Sequence, residues 1–143
     1  MSYLVDANVL SEATRRQPDA KVLSWLKRHD AELHVSTLTL AEIVKGIHLL
    51  AHGKKRRDLE SWFEELMASF ADRILPVDES VARAWGAFYA KHQRRGRLLS
   101  SFDSLLAATA LVYELTLATR DTDDFPDDVS VINPWQSAGP HRL

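Results

Sequence analysis

Short apolar runs alternate along the chain with longer segments in which apolar residues recur every three to four positions. The runs are typical of buried strands and lie at YLV (3–5), ELHVST (32–37), RILPV (73–77), LTLAT (115–119) and VSVIN (129–133). Between the second and third runs, Leu40, Ile43 and Ile47 have helical spacing. Asp19 and Asp78 stand where helix N-caps are expected. The pattern predicts a three-layer α/β fold with a mainly parallel central sheet flanked by helices.

Length and composition indicate one globular domain. The 143 residues are 45% hydrophobic and 27% charged, which suffices for a single buried core. We expect residues 1–135 to form this domain and residues 136–143 to be a frayed C-terminal tail. The longest apolar run, LLAATALVY, is too short to cross a bilayer, so we expect no membrane contact.

Net charge and cysteine content narrow the function classes. The net charge of -2 excludes a general polyanion binder, so any contact with nucleic acid must come from local patches. The chain has no cysteine, which excludes disulfides, thiolate metal sites and thiol catalysis. This composition is compatible with a cytoplasmic location.

Four acids fall where predicted strands end or where helices begin at the same edge. Asp6 ends the first strand, Glu42 lies in the first turn of the helix after the second, Asp103 opens the helix before the fourth, and Asp121 follows the fourth. In a parallel sheet with right-handed crossovers, these positions share the carboxyl edge. Like charges there repel unless a cation lies between them, and oxygen ligands favour Mg²⁺ or Mn²⁺. Carboxylate-bound ions of this kind often serve phosphodiester hydrolysis.

Each acid also has a local structural explanation. Asp6 fits a helix N-cap, and an acid in the turn after the fourth strand needs no special role. Thr39 with Glu42, and Ser100 with Asp103, fit the capping-box pattern, in which the acid bonds back to the helix start. Each of these explanations accounts for one acid, but none accounts for four on one edge.

Four segments, in order, resemble the motif blocks of a PIN-domain nuclease. They are LVDANVLSE, STLTLAEIVKGI, SSFDSLLAATAL, and LATRDTDDF followed by VINPW. The resemblance runs from residue 3 to about Trp135 and is greatest to the bacterial VapC-like toxins and their FitB-like branch. It implies a PIN-like fold and a Mg²⁺- or Mn²⁺-dependent endoribonuclease that acts on RNA. It also implies a cognate antitoxin that silences the nuclease, a homodimer, and a higher assembly with the antitoxin.

The resemblance also implies residue roles. It places four residues at the catalytic, metal-binding positions of the family: Asp6, Glu42, Asp103 and Asp121. Asn8 matches the polar residue beside the first acid and is a candidate for substrate binding. Many relatives have Asn at the position of Asp121 and share the acid at Asp124, so either of these two is a candidate to face the metal.

Basic residues offer further candidates. Arg94, Arg95 and Arg97 lie before the helix that Asp103 opens, where they are candidates to bind RNA phosphates. A solvated helix end is an equally good explanation. The run KKRR (54–57) lies between two helices, and we expect it to point away from the acids.

Two other functions stay open. One is an RNA-maturation nuclease without an antitoxin. The other is a non-catalytic regulatory subunit, since FitB-like proteins are associated with DNA-binding complexes. A haloacid-dehalogenase function is disfavoured, because that chemistry requires a second aspartate where this chain has Asn8.

Overall fold

The computed structural model describes residues 1–136, in which five strands form one parallel sheet. The strands follow the spatial order β3-β2-β1-β4-β5. They are β1 (Tyr3–Val5), β2 (Leu33–Ser36), β3 (Ile74–Leu75), β4 (Thr116–Ala118) and β5 (Val131–Ile132). The predicted parallel α/β architecture is therefore confirmed. Of the predicted tail, residues 137–143 lie outside the described residues.

Six α-helices connect the strands of the described region. They are α1 (Ala7–Ser11), α2 (Ala20–Arg28), α3 (Thr37–His48), α4 (Lys54–Ser69), α5 (Glu79–Arg94) and α6 (Ser101–Val112). Short 3-10 turns lie at Glu12–Thr14, Asp30–Glu32 and Thr122–Asp124. The two predicted N-caps are confirmed: Asp19 accepts from the Lys21 N–H at 2.8 Å, and Asp78 accepts from the Val81 N–H at 3.1 Å. Within residues 1–136, no helix is long and apolar enough to cross a lipid bilayer.

Helices cover both faces of the sheet. Successive residues of β1 point to opposite faces because strand side chains alternate. Leu4 packs in one cluster with Leu106 and Leu117, whereas Val5 packs in the other with Trp25. Burial on both faces explains why the strands are continuous apolar runs rather than alternating ones.

The start of α3 differs from the capping-box prediction. Ser36, the last residue of β2, caps the helix by accepting from the Leu38 N–H at 3.0 Å, so α3 begins at Thr37. Thr39 therefore lies inside the helix, where it is fully buried. The predicted capping box of Thr39 and Glu42 is wrong, and Glu42 belongs to the second turn of α3 rather than the first.

Candidate active site

Asp6 is held rigidly at the carboxyl edge of the sheet. Its N–H donates to Ala118 O at 2.9 Å, which extends the pairing of β1 with β4 by one residue. Its Oδ1 accepts from the Ala7 N–H at 2.8 Å and caps α1, and its Oδ2 accepts from the Thr119 hydroxyl at 2.8 Å. The residue is only 8% exposed. Both carboxylate oxygens are thus oriented by neighbours while the group stays at the edge of the sheet.

Thr119 links this carboxylate to the turn after β4. Its hydroxyl is fully buried, donates to Asp6 Oδ2, and accepts from the Asp121 N–H at 3.2 Å. Thr119 is absent from the residues predicted from the sequence. The one sequence feature that could have indicated its role is that it is a polar residue directly after a buried strand. Its partner, Asp6, lies 113 positions away.

Asn8 and Asp121 contact each other across the same edge. Asn8 Nδ2 donates to Asp121 Oδ2 at 3.1 Å, and the Arg120 N–H donates to Asn8 Oδ1 at 3.4 Å. The first turn of α1 is thereby joined to the turn that follows β4. The structure brings these two separately predicted site residues together, and it leaves Asp121 exposed to solvent.

Glu42 and Asp103 reach this edge from two helices. Glu42 lies in the second turn of α3, and Asp103 lies in the first turn of α6. The Asp103 N–H donates to the Ser100 hydroxyl at 3.1 Å, so Ser100 caps α6 as predicted. Both acids are half-buried. We call Asp6, Glu42, Asp103 and Asp121 the acid cluster.

The electrostatics show that the acid cluster is mutually repulsive. Burial raises the pKa of the Asp6 carboxyl, and the charges of Asp103 and Asp121 raise it further against its two hydrogen bonds. Burial also raises the pKa of Glu42, with added repulsion from Asp6 and Asp103. The pKa of Asp103 is raised in the same way, by burial and by the negative charges in the turn after β4. Ionisation of three of these acids is therefore disfavoured by their neighbours.

Asp124 also lies beside the acid cluster. Its charge raises the pKa of Asp103 more than the charge of Asp121 does. Asp121 is instead the one that raises the pKa of Asp6 and that contacts Asn8. Both candidates for the fourth position therefore face the acids, Asp121 on the side of β1 and Asp124 on the side of α6.

The donor chemistry fits a hard divalent cation, because every charged donor is a carboxylate oxygen and a cation would relieve the repulsion. Within residues 1–136, however, no three acidic or histidine side chains lie close enough together to form a coordination shell as they stand. The acid cluster therefore has the charge that a cation requires without a closed ligand geometry.

The two basic segments lie in different places. Arg97 Nη2 donates to Asp123 O at 3.1 Å, which brings it to the turn after β4. Arg94 and Arg95 are exposed at the end of α5, just before that residue. In the run at 54–57, the contacts of Lys54 and Arg56 stay within the hairpin of α3 and α4, away from the acids as predicted.

Comparison with known proteins extends over nearly the whole chain. The family model of the PIN domain matches residues 3–128. Toxin FitB of Neisseria gonorrhoeae is 41% identical over 135 residues, which cover 92% of this chain and 97% of FitB. VapC ribonuclease Y4jK of Sinorhizobium fredii is 33% identical, with 94% and 99% covered. A solved structure of FitAB bound to an IR36 DNA fragment superimposes with a TM-score of 0.90 at 38% identity, covering 97% of this chain and 99% of that one.

Proposed function

The chain belongs to the PIN domain family, and on this premise we propose that it is a Mg²⁺- or Mn²⁺-dependent endoribonuclease that acts as the toxin of a toxin–antitoxin pair. The observation that carries the proposal is the acid cluster, whose members repel one another at the carboxyl edge of a parallel sheet. The names of two relatives add support, since one is a toxin and the other a ribonuclease.

We assign the ion to the acid cluster. Asp6 and Asp103 would hold it, and Glu42 and Asp121 would complete the site or recruit a second ion. When bound, such an ion polarises a scissile phosphate and lowers the pKa of a water molecule. The repulsion between the empty carboxylates would be relieved at the same time, which favours binding.

The residues of the chain supply orientation and proton transfer. Asp6 is fixed by its contacts with Ala7 and Thr119, so it needs no reordering when a ligand binds. We assign to Glu42 the acceptance of the proton from the attacking water, because it lies half-buried beside Asp6 and Asp103. Water attacks phosphorus and loses a proton to Glu42, the bond between phosphorus and the 3′ oxygen breaks, and that oxygen takes up a proton from solvent, so the products carry a 5′-phosphate and a 3′-hydroxyl.

Substrate and partner follow from the same proposal. Asn8 lies beside the acid cluster, and Arg94, Arg95 and Arg97 are available to neutralise RNA phosphates. A cognate antitoxin would silence the nuclease in the cytoplasm by binding near the acids, and the active form would be a homodimer. The FitAB structure supports a higher assembly, since in it FitAB is bound to a DNA fragment.

That DNA-bound relative also favours a second candidate function. Under this second function, the chain would be a non-catalytic regulatory subunit of a DNA-binding complex. Cleavage by the purified chain separates the two candidates, because a regulatory subunit has no need of nuclease activity.

The test uses the protein purified free of any partner and incubated with total RNA. We expect cleavage with Mg²⁺ or Mn²⁺, none with EDTA, and none from the Asp103→Asn variant. Induction in a host without an antitoxin should also slow growth. Metal-independent cleavage, or equal cleavage by Asp103→Asn, would contradict the proposed active site. RNA cleavage without a growth defect would instead favour a maturation nuclease.

A further inference from the structure

A second charged cluster joins the loop after β4 to the end of α5. We call Arg94, the last residue of α5, together with the segment 95–100 that leads to α6 the arginine loop, and the segment 119–130 between β4 and β5 the acidic loop. Asp128 of the acidic loop contacts two residues in the last turn of α5. Its Oδ2 pairs with Lys91 Nζ, and both its carboxylate oxygens lie 3.2 Å from His92 Nε2.

This contact is partly shielded from solvent. The His92 side chain is only 7% exposed, and its ring packs edge-on against Phe88 with 4.7 Å between centroids. Partial burial opposes ionisation of Asp128, but the hydrogen bonds from Lys91 and His92 outweigh it and lower the pKa of that carboxyl. Asp128 therefore stays charged in its contact with α5 at neutral pH.

The same helix end shapes the arginine loop. His92 O accepts from the N–H groups of Arg95 at 3.1 Å and Arg97 at 2.9 Å, and Gly96 has a positive φ of 82° that lets the chain turn there. The guanidinium of Arg97 then donates to Asp123 O at 3.1 Å. The acidic loop thus contacts the last turn of α5 through Asp128 and the arginine loop through Asp123.

We propose that Asp128 is a positioning residue that, through Lys91 and His92, holds the arginine loop beside the acid cluster so that its arginines meet the phosphates of RNA. This inference rests on the proposed nuclease function and adds a residue outside the acid cluster to it. Mutual repulsion among the basic side chains would move the loop outward without this contact. Phosphate binding depends on where those side chains lie, whereas the chemical step depends on the acids.

A neighbouring residue provides a matched control. Asp127 is exposed, and within residues 1–136 its carboxylate forms no hydrogen bond or ion pair. Asp127→Asn and Asp128→Asn therefore remove the same charge from the same loop, but only the second breaks the contact with Lys91 and His92 of α5. Loss of a negative charge alone does not weaken RNA binding, so only Asp128→Asn should raise the Michaelis constant for RNA.

The test measures cleavage of a short RNA at several salt concentrations. For Asp128→Asn we expect KM to rise about 5–10-fold. The slope of log KM against log salt should fall by about 1, which corresponds to the loss of one phosphate contact. We expect kcat at saturating RNA to stay within about twofold of wild type, because the acids are untouched. For Asp127→Asn, KM should stay level or fall. A partly unfolded variant would lose kcat and keep both KM and the salt slope.

Hydrogen exchange separates failure of this inference from failure of the proposed function. In Asp128→Asn, the Arg95 and Arg97 amides should exchange faster, and in Asp127→Asn they should not. Unchanged exchange, or unchanged KM and salt slope in an active Asp128→Asn enzyme, would overturn the inference. If the nuclease proposal were wrong, wild type and both variants would all fail to cleave RNA, and the role of Asp128 in RNA binding would fall with it.

Discussion

Charged residues are arranged in opposite ways in the first turns of α4 and at the carboxyl edge of the sheet. In α4, Lys54 pairs with Asp58 at 2.7 Å, and Arg56 Nε lies 3.5 Å from Glu60, each one helical turn away. In the acid cluster, by contrast, no member forms an ion pair among the described residues. Each of the two pairs in α4 is neutral, whereas the acid cluster carries an excess of negative charge.

The pKa changes of Lys54 in α4 and of Asp103 in the acid cluster show the same difference between paired and unpaired charges. Hydrogen bonding to Asp58 raises the pKa of Lys54, which favours the charged form of a base. Burial and repulsion raise the pKa of Asp103, which disfavours the charged form of an acid. Exposed pairs such as that in α4 contribute little to folding. The acid cluster costs stability, and such a cost is typical of a binding site for an oppositely charged ligand.

The largest expected difference between the two regions is in catalysis. Asp6→Asn and Asp103→Asn should each lower kcat/KM for RNA cleavage by about 10³-fold or more, because the ion loses a ligand worth several kcal/mol. Asp58→Asn, which removes the same charge from α4, should stay within about twofold of wild type. Cleavage assays with melting curves check both effects. Wild-type cleavage by Asp6→Asn or Asp103→Asn would remove that residue from the active site.

Variants of Asp121 and Asp124 show which of these two residues contributes more to Mg²⁺ binding. Asp121→Ala should raise the Mg²⁺ concentration needed for cleavage by about 10–100-fold. Asp121→Asn should do less, since its amide oxygen can still accept from Asn8. Mg²⁺ titrations of these variants and of Asp124→Asn give the comparison. A larger shift for Asp124→Asn than for Asp121→Ala would exchange the roles of the two residues.

The smallest expected effect is on stability without metal. The pKa of Asp103 in the folded protein is raised above its ordinary value. Such a carboxyl favours folding at low pH, and this contribution to stability is lost as the pH rises through the pKa of the folded state. At neutral pH in EDTA, Asp103→Asn should therefore melt about 1–3 °C above wild type. The difference should disappear near about pH 3.5, where the acid is protonated in both folded and unfolded chains. Asp58→Asn should melt level with wild type or below it.

Local patterns predicted much of the fold. Continuous apolar runs located the five strands, and Asp19, Asp78 and Ser100 were recognisable as helix caps. The positions of the acids followed from topology, because parallel strands share a carboxyl edge. The start of α3 could not be predicted correctly, since Ser36 and Thr39 both fit an N-cap and only the burial of Thr39 decides between them.

The contacts that orient the site residues could not be predicted from local sequence patterns. Thr119 contacts Asp6 across 113 positions, and His92 contacts Asp128 across 36. Neither pair has a sequence spacing that indicates contact, because each depends on how separate elements pack. The polar residues that orient a site are therefore harder to predict than the acids themselves.

The most direct test of the divalent-cation site is to titrate the partner-free protein with Mn²⁺. Binding is measured as loss of the electron paramagnetic resonance signal of the free ion. We expect wild-type protein to remove the free-ion signal, Asp103→Asn to bind at least about tenfold more weakly, and Asp58→Asn to bind like wild type. Equal binding by wild type and Asp103→Asn, or no binding by wild type, would contradict the assignment of the acid cluster as a divalent-cation site.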